Sequence, residues 1–210
     1  MYKIYFVFIL IISGVLVSAG CEKKENNLLS FANEYSELRT SKNNFFKNDP
    51  SSPLLEEDKG NFKELKYYEP DPEYKFTGVI QKYEAPEVTE MLTSSSELKK
   101  FYKYGYFNFK INGKDHSLQL YKPVDDSGHD PYYFIPFKDK SNETDTYGAG
   151  RYLDIPVTES DTITVDFNMA YNPYCAFSPY YSCPLPPREN HLSIEIRAGE
   201  LNYKSYSVKG

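Results

Sequence analysis

An alternation of apolar and polar side chains runs through the second half of the chain and predicts β-strands there. Residues 107–111 carry apolar side chains at every second position, and the alternation returns in residues 116–121 after Asn112-Gly113. An Asn-Gly pair between two such runs is typical of a type I′ turn, because both central residues of that turn need positive φ. The pattern therefore predicts an antiparallel β-hairpin.

The same period of two recurs elsewhere and extends the prediction to the whole fold. It is present in residues 74–81, 162–168 and 191–197, and further strands are predicted at the apolar run 132–137 and at the segments 152–155 and 201–208. Their order shows no alternation of strands with helices, which a parallel sheet would need. About seven to nine short strands of this kind predict a mainly β fold, an antiparallel β-sandwich or barrel.

One segment near the N-terminus has helical rather than strand periodicity. Within residues 31–46, four large side chains fall near one face of a helix, namely Phe31, Tyr35, Leu38 and Phe45. Ser30 is placed to cap the start of this helix, and the Pro-containing residues 48–53 are placed to end it. The sequence therefore predicts one N-terminal helix packed on the β-domain.

The first 21 residues have the pattern of an export signal. One lysine precedes an apolar run over residues 4–17, which is too short for a comfortable membrane span. Residues 18–21 (Ser-Ala-Gly-Cys) resemble the bacterial lipobox, with Ser18 where a branched apolar residue is usual. The resemblance implies cleavage before Cys21 and attachment of lipid to its sulfur and amino group. The alternative is an ordinary secretory signal with a coincidental cysteine.

These patterns divide the chain into three parts. Residues 1–20 are the expected lipoprotein signal peptide, and residues 21–30 are a polar tether from the lipidated Cys21. Residues 31–210 are expected to form a single β-rich domain.

Composition excludes some classes of function. Residues 1–20 contain one lysine and no acidic residue, so 23 basic and 30 acidic residues remain, a net charge of −7. No basic stripe of the kind that binds nucleic acid is present, so we expect no nucleic-acid partner. The chain has 21 Tyr and 14 Phe, which favour strands, but no Trp, the usual platform for sugars. No G-x-S-x-G, H-E-x-x-H or C-x-x-C motif occurs, and we expect no cofactor and no metal.

A series of motifs lies between residues 137 and 200. In order, they are Phe137-Lys138-Asp139, Thr146-Tyr147-Gly148-Ala149-Gly150-Arg151-Tyr152-Leu153, Asp166-Phe167-Asn168, Ala170-Tyr171-Asn172-Pro173-Tyr174-Cys175-Ala176, Cys183-Pro184-Leu185-Pro186-Pro187, Glu189-Asn190 and Ala198-Gly199-Glu200. Together they resemble the uncharacterised bacterial and archaeal family DUF1684. Glu143 stands where that family usually has glycine, and Phe177 where tyrosine is common. The resemblance implies one domain and brings no established activity.

The connection over residues 169–190 contains five prolines and two cysteines. A loop of this length is uncommon in a compact domain and is often functional, and its prolines favour a rigid form. The loop either recognises a ligand or caps the end of the sheet.

Three interpretations of Cys175 and Cys183 stay open. In an oxidising compartment they form a disulfide, which closes a nine-residue loop and is worth about 2.5 kcal/mol in the chain-entropy model. The family resemblance implies related domains that lack an export signal, and this favours free thiols. A metal site with His191 is the third interpretation, but its spacing is not a recognised zinc pattern.

Four charged residues are candidates for catalysis: Asp139, Arg151, Asp166 and Glu200. Paired carboxylates around a guanidinium bind an anionic ligand or perform general acid–base chemistry. The alternative is a buried arginine network that ties strands together. Four further residues are candidates for ligand binding: Tyr147, Asn168, Asn172 and Asn190. The three asparagines can equally satisfy backbone groups of loops.

Two functions are weighed from these observations, with a purely structural spacer as a third. The first is a lipoprotein of the bacterial cell envelope that faces away from the cytoplasm. It is held to a membrane by lipid on Cys21, and it binds a small ligand or an envelope protein. The second is an enzyme, such as a hydrolase, that uses the carboxylate and arginine candidates.

Overall fold

The computed structural model of the chain describes residues 29–124 and 131–203. The predicted signal, Cys21, most of the tether and residues 204–208 of the last predicted strand lie outside this part. Within it, no helix combines the length and the apolar character needed to cross a membrane.

The described residues form a mainly β fold with one long helix near the N-terminus. Helix α1 covers residues 29–48, and a short helix α2 covers Glu56–Lys59. The strands are β1 Lys75–Val79, β2 Gln81–Leu92, β3 Leu98–Ile111, β4 Lys114–Pro123, β5 Tyr132–Phe137, β6 Arg151–Pro156 and β7 Thr162–Asp166.

These strands make two antiparallel sheets. Strands β2-β3-β4-β5-β6 follow one another in a five-stranded meander, and β1 pairs with β7 in a two-stranded sheet. The two sheets pack in a sandwich-like manner, and the described strands do not close into a barrel. The mainly β, antiparallel prediction is confirmed.

The predicted hairpin is confirmed in register and in turn type. Ile111 pairs with Lys114, so Asn112 and Gly113 are the only residues of the turn between β3 and β4. Their φ angles are 50° and 73°, as a type I′ turn requires. The alternating apolar side chains of both strands are buried on the inner face of the meander.

The main core lies between the inner face of the meander and the β1–β7 sheet. Phe167, directly after β7, is fully buried at its centre. Its ring centroid lies 5.3 Å from that of Phe137, 5.5 Å from Phe109 and 6.1 Å from Phe76. A second cluster on the outer face of the meander includes Phe101, Tyr121, Phe134 and Tyr152. Both faces of the meander are therefore covered.

Helix α1 is confirmed, but its buried face differs from the predicted one. Leu38 is 48% exposed, and residues 29 and 30 are already helical, so Ser30 is not an N-cap. Side chains that contact the domain include the predicted Tyr35 and Phe45, together with Arg39, Lys42 and Phe46. This stripe is correctly spaced for a helix, and its polar groups have partners in the domain that the sequence alone does not reveal.

The predicted strand over residues 191–197 is wrong as a strand, although its apolar alternation is right. Leu192 and Ile196 are buried, yet only His191 forms a β-bridge, with Lys138. The backbone of Ile196 is held instead by side chains. Its N–H donates to Oδ1 of Asp139 at 3.1 Å, and its carbonyl accepts from Nη2 of Arg151 at 2.9 Å.

Two other predicted strands are also corrected. Strand β7 ends at Asp166, and residues 167–169 form a 3₁₀ turn because the Asp166 side chain accepts the N–H of Asn168. Residues 201–203 are not in a strand. The long strand β2 was not predicted, because its side chains are mostly exposed and carry no alternation.

Asp139 and Arg151 form an ion pair in the interior. Nη2 of Arg151 lies 2.9 Å from Oδ2 of Asp139, and both side chains have 0% exposure. Nη1 donates to the carbonyls of Ala198 and Glu200. Removing one member of a buried, hydrogen-bonded pair leaves the other charge without compensation. The pair therefore holds the backbone of the segment 196–200 by hydrogen bonds, as a neighbouring strand would.

The turn that follows Asp139 contains one residue in a left-handed conformation. Glu143, where the resembled family usually has glycine, has φ of 73°. The backbone is closed by a hydrogen bond from the Glu143 N–H to the Thr146 carbonyl at 3.1 Å. A side chain at positive φ is strained, since its Cβ crowds the backbone.

We predict that Arg151→Met lowers the free energy of unfolding of residues 22–210 by about 3–5 kcal/mol, because Asp139 and the carbonyls of residues 196–200 lose their donor. Urea denaturation measures the change. The matched control is Lys82→Met, which removes the partly exposed pair Lys82–Asp161 and should leave the midpoint nearly unchanged. Equal midpoints for both variants would contradict the role of the buried pair.

We also predict that Glu143→Gly stabilises the domain by about 0.5–1 kcal/mol. Glycine relieves the strain of the left-handed conformation, and its greater freedom in the unfolded chain offsets part of this gain. Glu143→Ala is the control, because it removes the same side-chain atoms beyond Cβ and keeps the strain. A gain in thermal stability for alanine equal to that for glycine would show that the side chain, not the backbone, sets the effect.

Candidate functional site

The loop over residues 169–190 is fixed at both ends against the rest of the domain. Near its start, the fully buried ring of Phe177 lies 4.8 Å from that of Phe46 on helix α1, measured between centroids. Towards its end, Cys183 donates its N–H to the Ser94 hydroxyl at 3.1 Å and accepts the Ser94 N–H at 2.9 Å. The loop therefore spans the distance from the helix to the β2–β3 turn.

Two adjoining cavities lie between this loop and the outer face of the meander. Their volumes are about 670 Å³ and 500 Å³, and they share the side chains of Lys99, Tyr152, Tyr171 and Pro184. We call the combined cavity the aromatic groove. Both volumes fall within the range of roughly 300–1,000 Å³ that is usual for small-molecule sites.

A row of four aromatic rings lines the groove. Phe101 and Phe134 are stacked with centroids 5.4 Å apart, Phe134 meets Tyr152 edge-on at 4.8 Å, and Tyr152 meets Tyr171 edge-on at 5.7 Å. The Tyr152 hydroxyl donates to the carbonyl of Pro184, which holds its ring in place. The apolar wall is therefore formed before any ligand arrives.

Positive charge lines the larger-cavity end of the groove, and Lys99 is shared with the smaller cavity. Lys99 and Lys100 are exposed and line the larger cavity, and no acidic residue is among the described residues that line it. Lys99 also reaches the carbonyl of Ser182 in the loop at 3.3 Å. This end of the groove favours a negatively charged group.

A polar cluster stands at the other end, in the smaller cavity. The Tyr171 hydroxyl donates to Oδ2 of Asp154 at 2.6 Å, and the Lys42 ammonium lies 5.0 Å from the centroid of the Tyr171 ring. Asp154 is exposed at the surface, yet partial burial by the surrounding protein raises the pKa of its carboxyl, while the Tyr171 hydrogen bond and Lys42 oppose that shift. The same burial raises the pKa of Tyr171, so it stays a hydroxyl donor.

Asp154 and Tyr171 were not among the sequence candidates. Asp154 has the appearance of an ordinary outward-facing polar residue of β6, and nothing local to it signals the groove. Tyr171 lies in the motif over residues 170–176, and this is the only feature of the sequence that marks it.

The four catalytic candidates do not line the aromatic groove. Asp139 and Arg151 are occupied with each other and with backbone groups. Glu200 is buried, pairs with Lys42 and accepts the N–H of Asn172 at 2.8 Å. Asp166 accepts the Tyr35 hydroxyl at 2.5 Å. Their carboxylates therefore join helix α1 and the segment 196–200 to the sheets.

The three asparagine candidates contact backbone. Asn168 bonds both the N–H and the carbonyl of Asp71, each at 2.8 Å. Asn190 bonds the N–H of Gln119 at 2.7 Å and its carbonyl at 3.0 Å, and Asn172 donates to the carbonyl of Leu201. These contacts match the alternative in which asparagines satisfy loops.

Tyr147 and the two cysteines lie together behind the smaller cavity. Cys175 and Cys183 are free thiols in the structure, and the disulfide stays a prediction. The N–H of Cys175 donates to Sγ of Cys183 at 3.2 Å, and the Tyr147 hydroxyl lies 3.7 Å from Sγ of Cys175. Hydrogen bonding from the Cys183 thiol lowers the pKa of Cys175 to about 7, against the effect of burial, and the pKa of Cys183 is raised.

The arrangement gives no support to a metal centre in the described residues. The ring of His191 faces the carbonyl of Pro186 at 3.1 Å. No group of three or more His, Cys, Asp or Glu side chains within residues 29–124 and 131–203 has an arrangement that would hold a metal ion.

Comparison with known proteins places this fold and its motifs in a family. The solution NMR structure of an uncharacterized protein of Haloarcula marismortui is similar, with 30% sequence identity and a TM-score of 0.64. The match covers 84% of this chain and 97% of that one. No curated protein matches the chain.

A family model described as a protein of unknown function, DUF1684, matches residues 60–201. This range contains all strands of the described residues and the whole loop over residues 169–190. It also contains the motifs on which the resemblance was based, so that resemblance is confirmed. The chain belongs to the DUF1684 family.

Proposed function

We propose that this protein is a lipid-anchored module of the bacterial cell envelope whose aromatic groove binds a small amphipathic ligand. The observation that carries the binding proposal is the groove itself, which the loop over residues 169–190 forms on the outer face of the meander. Export and lipidation rest on the lipobox resemblance of residues 18–21.

The chemistry of the groove defines the class of ligand. The row of aromatic rings offers apolar, stacking surface to a planar or aliphatic body. Lys99 and Lys100 offer charge to an anionic group in the larger cavity, and the Asp154–Tyr171 pair offers a hydrogen-bond partner on the side of the smaller cavity. An amphipathic molecule with one anionic group matches both the apolar wall and the lysines of the groove.

The groove is suited to binding because little of it must be ordered on contact. Its rings hold one another edge-on, and the loop that covers it contains five prolines between residues 169 and 190. A preorganised site loses less conformational entropy when a ligand binds. Binding without turnover is therefore sufficient to explain the geometry.

The alternative function, an enzyme that uses Asp139, Arg151, Asp166 and Glu200, has less geometric support. Nη1 and Nη2 of Arg151 are bonded to protein acceptors. Asp166 and Glu200 hold different turns of helix α1, through Tyr35 and Lys42. These groups are committed to contacts within the fold.

We predict that residues 22–210 bind 8-anilinonaphthalene-1-sulfonate, an aromatic anion, saturably in the folded state. Replacing both lysines (Lys99→Gln with Lys100→Gln) should weaken it by about tenfold, equivalent to 1.4 kcal/mol. Binding of neutral N-phenyl-1-naphthylamine should change by less than about twofold. Fluorescence titration measures both constants.

The matched control replaces Lys110 and Lys114 with glutamine, because these exposed lysines lie at the far end of the β3–β4 hairpin. Tyr171→Ala should weaken both probes, whereas Tyr180→Ala, at a ring that is 86% exposed, should affect neither. Equal effects of the two lysine pairs, or unsaturable fluorescence, would refute an anion-selective groove.

The anchoring half of the proposal has its own test in a bacterial host. We predict that the full chain incorporates radiolabelled palmitate and that Cys21→Ser abolishes the label, because Cys21 is the acceptor. Globomycin should cause the precursor to accumulate. Cys175→Ser is the control and should keep the label. Unaltered processing in globomycin, with an unlabelled product in the cytosol, would remove this half of the proposal.

A further inference from the structure

Two thiols meet at the wall of the aromatic groove. Cys175 belongs to the 3₁₀ turn Tyr174–Ala176, and Cys183 is tied to the β2–β3 turn through Ser94. The Cys175 N–H is bonded to Sγ of Cys183 at 3.2 Å, so the two residues are already in contact. The loop between them needs only a local adjustment to join the sulfur atoms.

The two cysteines differ in exposure. Cys175 is half-buried, whereas Cys183 is 8% exposed. Cys175 is therefore the more accessible of the two from solvent, while Cys183 lines the smaller cavity.

They also differ in their hydrogen bonds. The Tyr147 hydroxyl lies 3.7 Å from Sγ of Cys175 as a donor, and hydrogen bonding from the Cys183 thiol and the Ser94 hydroxyl also lowers the pKa of Cys175, whereas Sγ of Cys183 accepts the Cys175 N–H. The other titratable groups that face the pair are Tyr152 and Lys99. Donors directed at one sulfur stabilise its thiolate, which is the reactive form of cysteine.

We propose that Cys175 and Cys183 are a redox-active dithiol in which Cys175 attacks external disulfides and Cys183 resolves the product. The geometry assigns the roles, because Cys175 is half-buried and its sulfur faces the Tyr147 hydroxyl, whereas Cys183 is buried. The reagent class is a disulfide, either a small one or that of a thiol oxidoreductase. This inference is independent of the ligand of the groove.

The exchange balances in two steps. The Cys175 thiolate attacks a disulfide R–S–S–R, forms the mixed disulfide Cys175–S–S–R and releases one R–S⁻. Cys183 then loses its proton and attacks the Cys175 sulfur, which forms the Cys175–Cys183 bond and releases the second R–S⁻. The protein loses two protons and two electrons, and the external disulfide is reduced to two thiols.

The state of Cys175 also makes the closed bond easy to reopen. A reducing thiol attacks the accessible Cys175 sulfur and releases Cys183, and a second reducing thiol then attacks the external sulfur of this mixed disulfide and releases Cys175, whose low pKa makes it a good leaving group. The pair should therefore cycle, unlike a disulfide that serves only as a permanent cross-link. The bond would join the middle of the loop to its sheet-bound end, beside the smaller cavity.

The test uses the full chain in bacterial membranes, equilibrated with graded mixtures of reduced and oxidised glutathione. After acid quenching, polyethylene-glycol maleimide counts the free thiols by gel shift. We expect two thiols to disappear together as oxidised glutathione increases and to return when it is diluted into reduced glutathione. Permanent loss, or loss of the two thiols one at a time, would overturn the proposal.

Single variants test the assignment of roles. Cys183→Ser should trap one glutathionyl group on Cys175, detected by intact mass, because the resolving thiol is absent. Cys175→Ser should acquire this group at least tenfold more slowly, because Cys183 is buried. Equal rates, or the faster rate for Cys175→Ser, would refute the assignment.

Alkylation of the unmutated chain gives a measurement that does not depend on how the cysteine variants fold. The rate at which iodoacetamide modifies Cys175, followed by peptide mass, should rise with pH to a midpoint near 7, since the pKa of Cys175 is lowered to about 7. Tyr147→Phe removes one donor and should move the midpoint upward. A midpoint at the ordinary thiol value of about 8.5 would contradict the proposed nucleophile.

Discussion

The buried ion pair of Asp139 and Arg151 is the contact on which the arrangement of this domain depends. A charged pair with no exposed surface is tolerated only when nearly every polar group finds a partner. Here the partners are the backbone groups of residues 196–200, so these hydrogen bonds fix the position of the segment on the domain. The same path places Glu200 beneath helix α1, where it pairs with Lys42.

The position of helix α1 then determines the shape of the groove. Phe46 on the helix packs on Phe177, which fixes the first half of the loop over residues 169–190. The second half is fixed by Cys183 on the β2–β3 turn. The polar candidates of the motifs thus build the framework, while the aromatic side chains and lysines present a surface to a ligand. Framework and surface are different sets of residues.

Local patterns predicted the strands that have one buried face, and they failed where long-range contacts take over. The Asn112-Gly113 hairpin was predicted in register because its turn depends only on adjacent residues. Residues 191–197 have the period of a strand, but Asp139 and Arg151 replace the neighbouring strand. On helix α1, the apolar period favoured Leu38 for the buried face. Arg39 and Lys42 lie on that face instead, because Arg39 bonds to a backbone carbonyl in the segment 65–68 and Lys42 pairs with Glu200, more than a hundred residues away.

The sequence by itself determined the mainly β antiparallel class, the one long helix, the hairpin register and membership of the DUF1684 family. These features depend on the side-chain period, on φ preferences at a turn and on motif order, all of which can be read along the chain. Only the tertiary structure decided that Lys99, Tyr152, Tyr171 and Pro184 share one groove and that Glu200 serves the framework. The reason is physical: these groups come from four distant segments, and their proximity is fixed by how the buried pair and the aromatic layers pack.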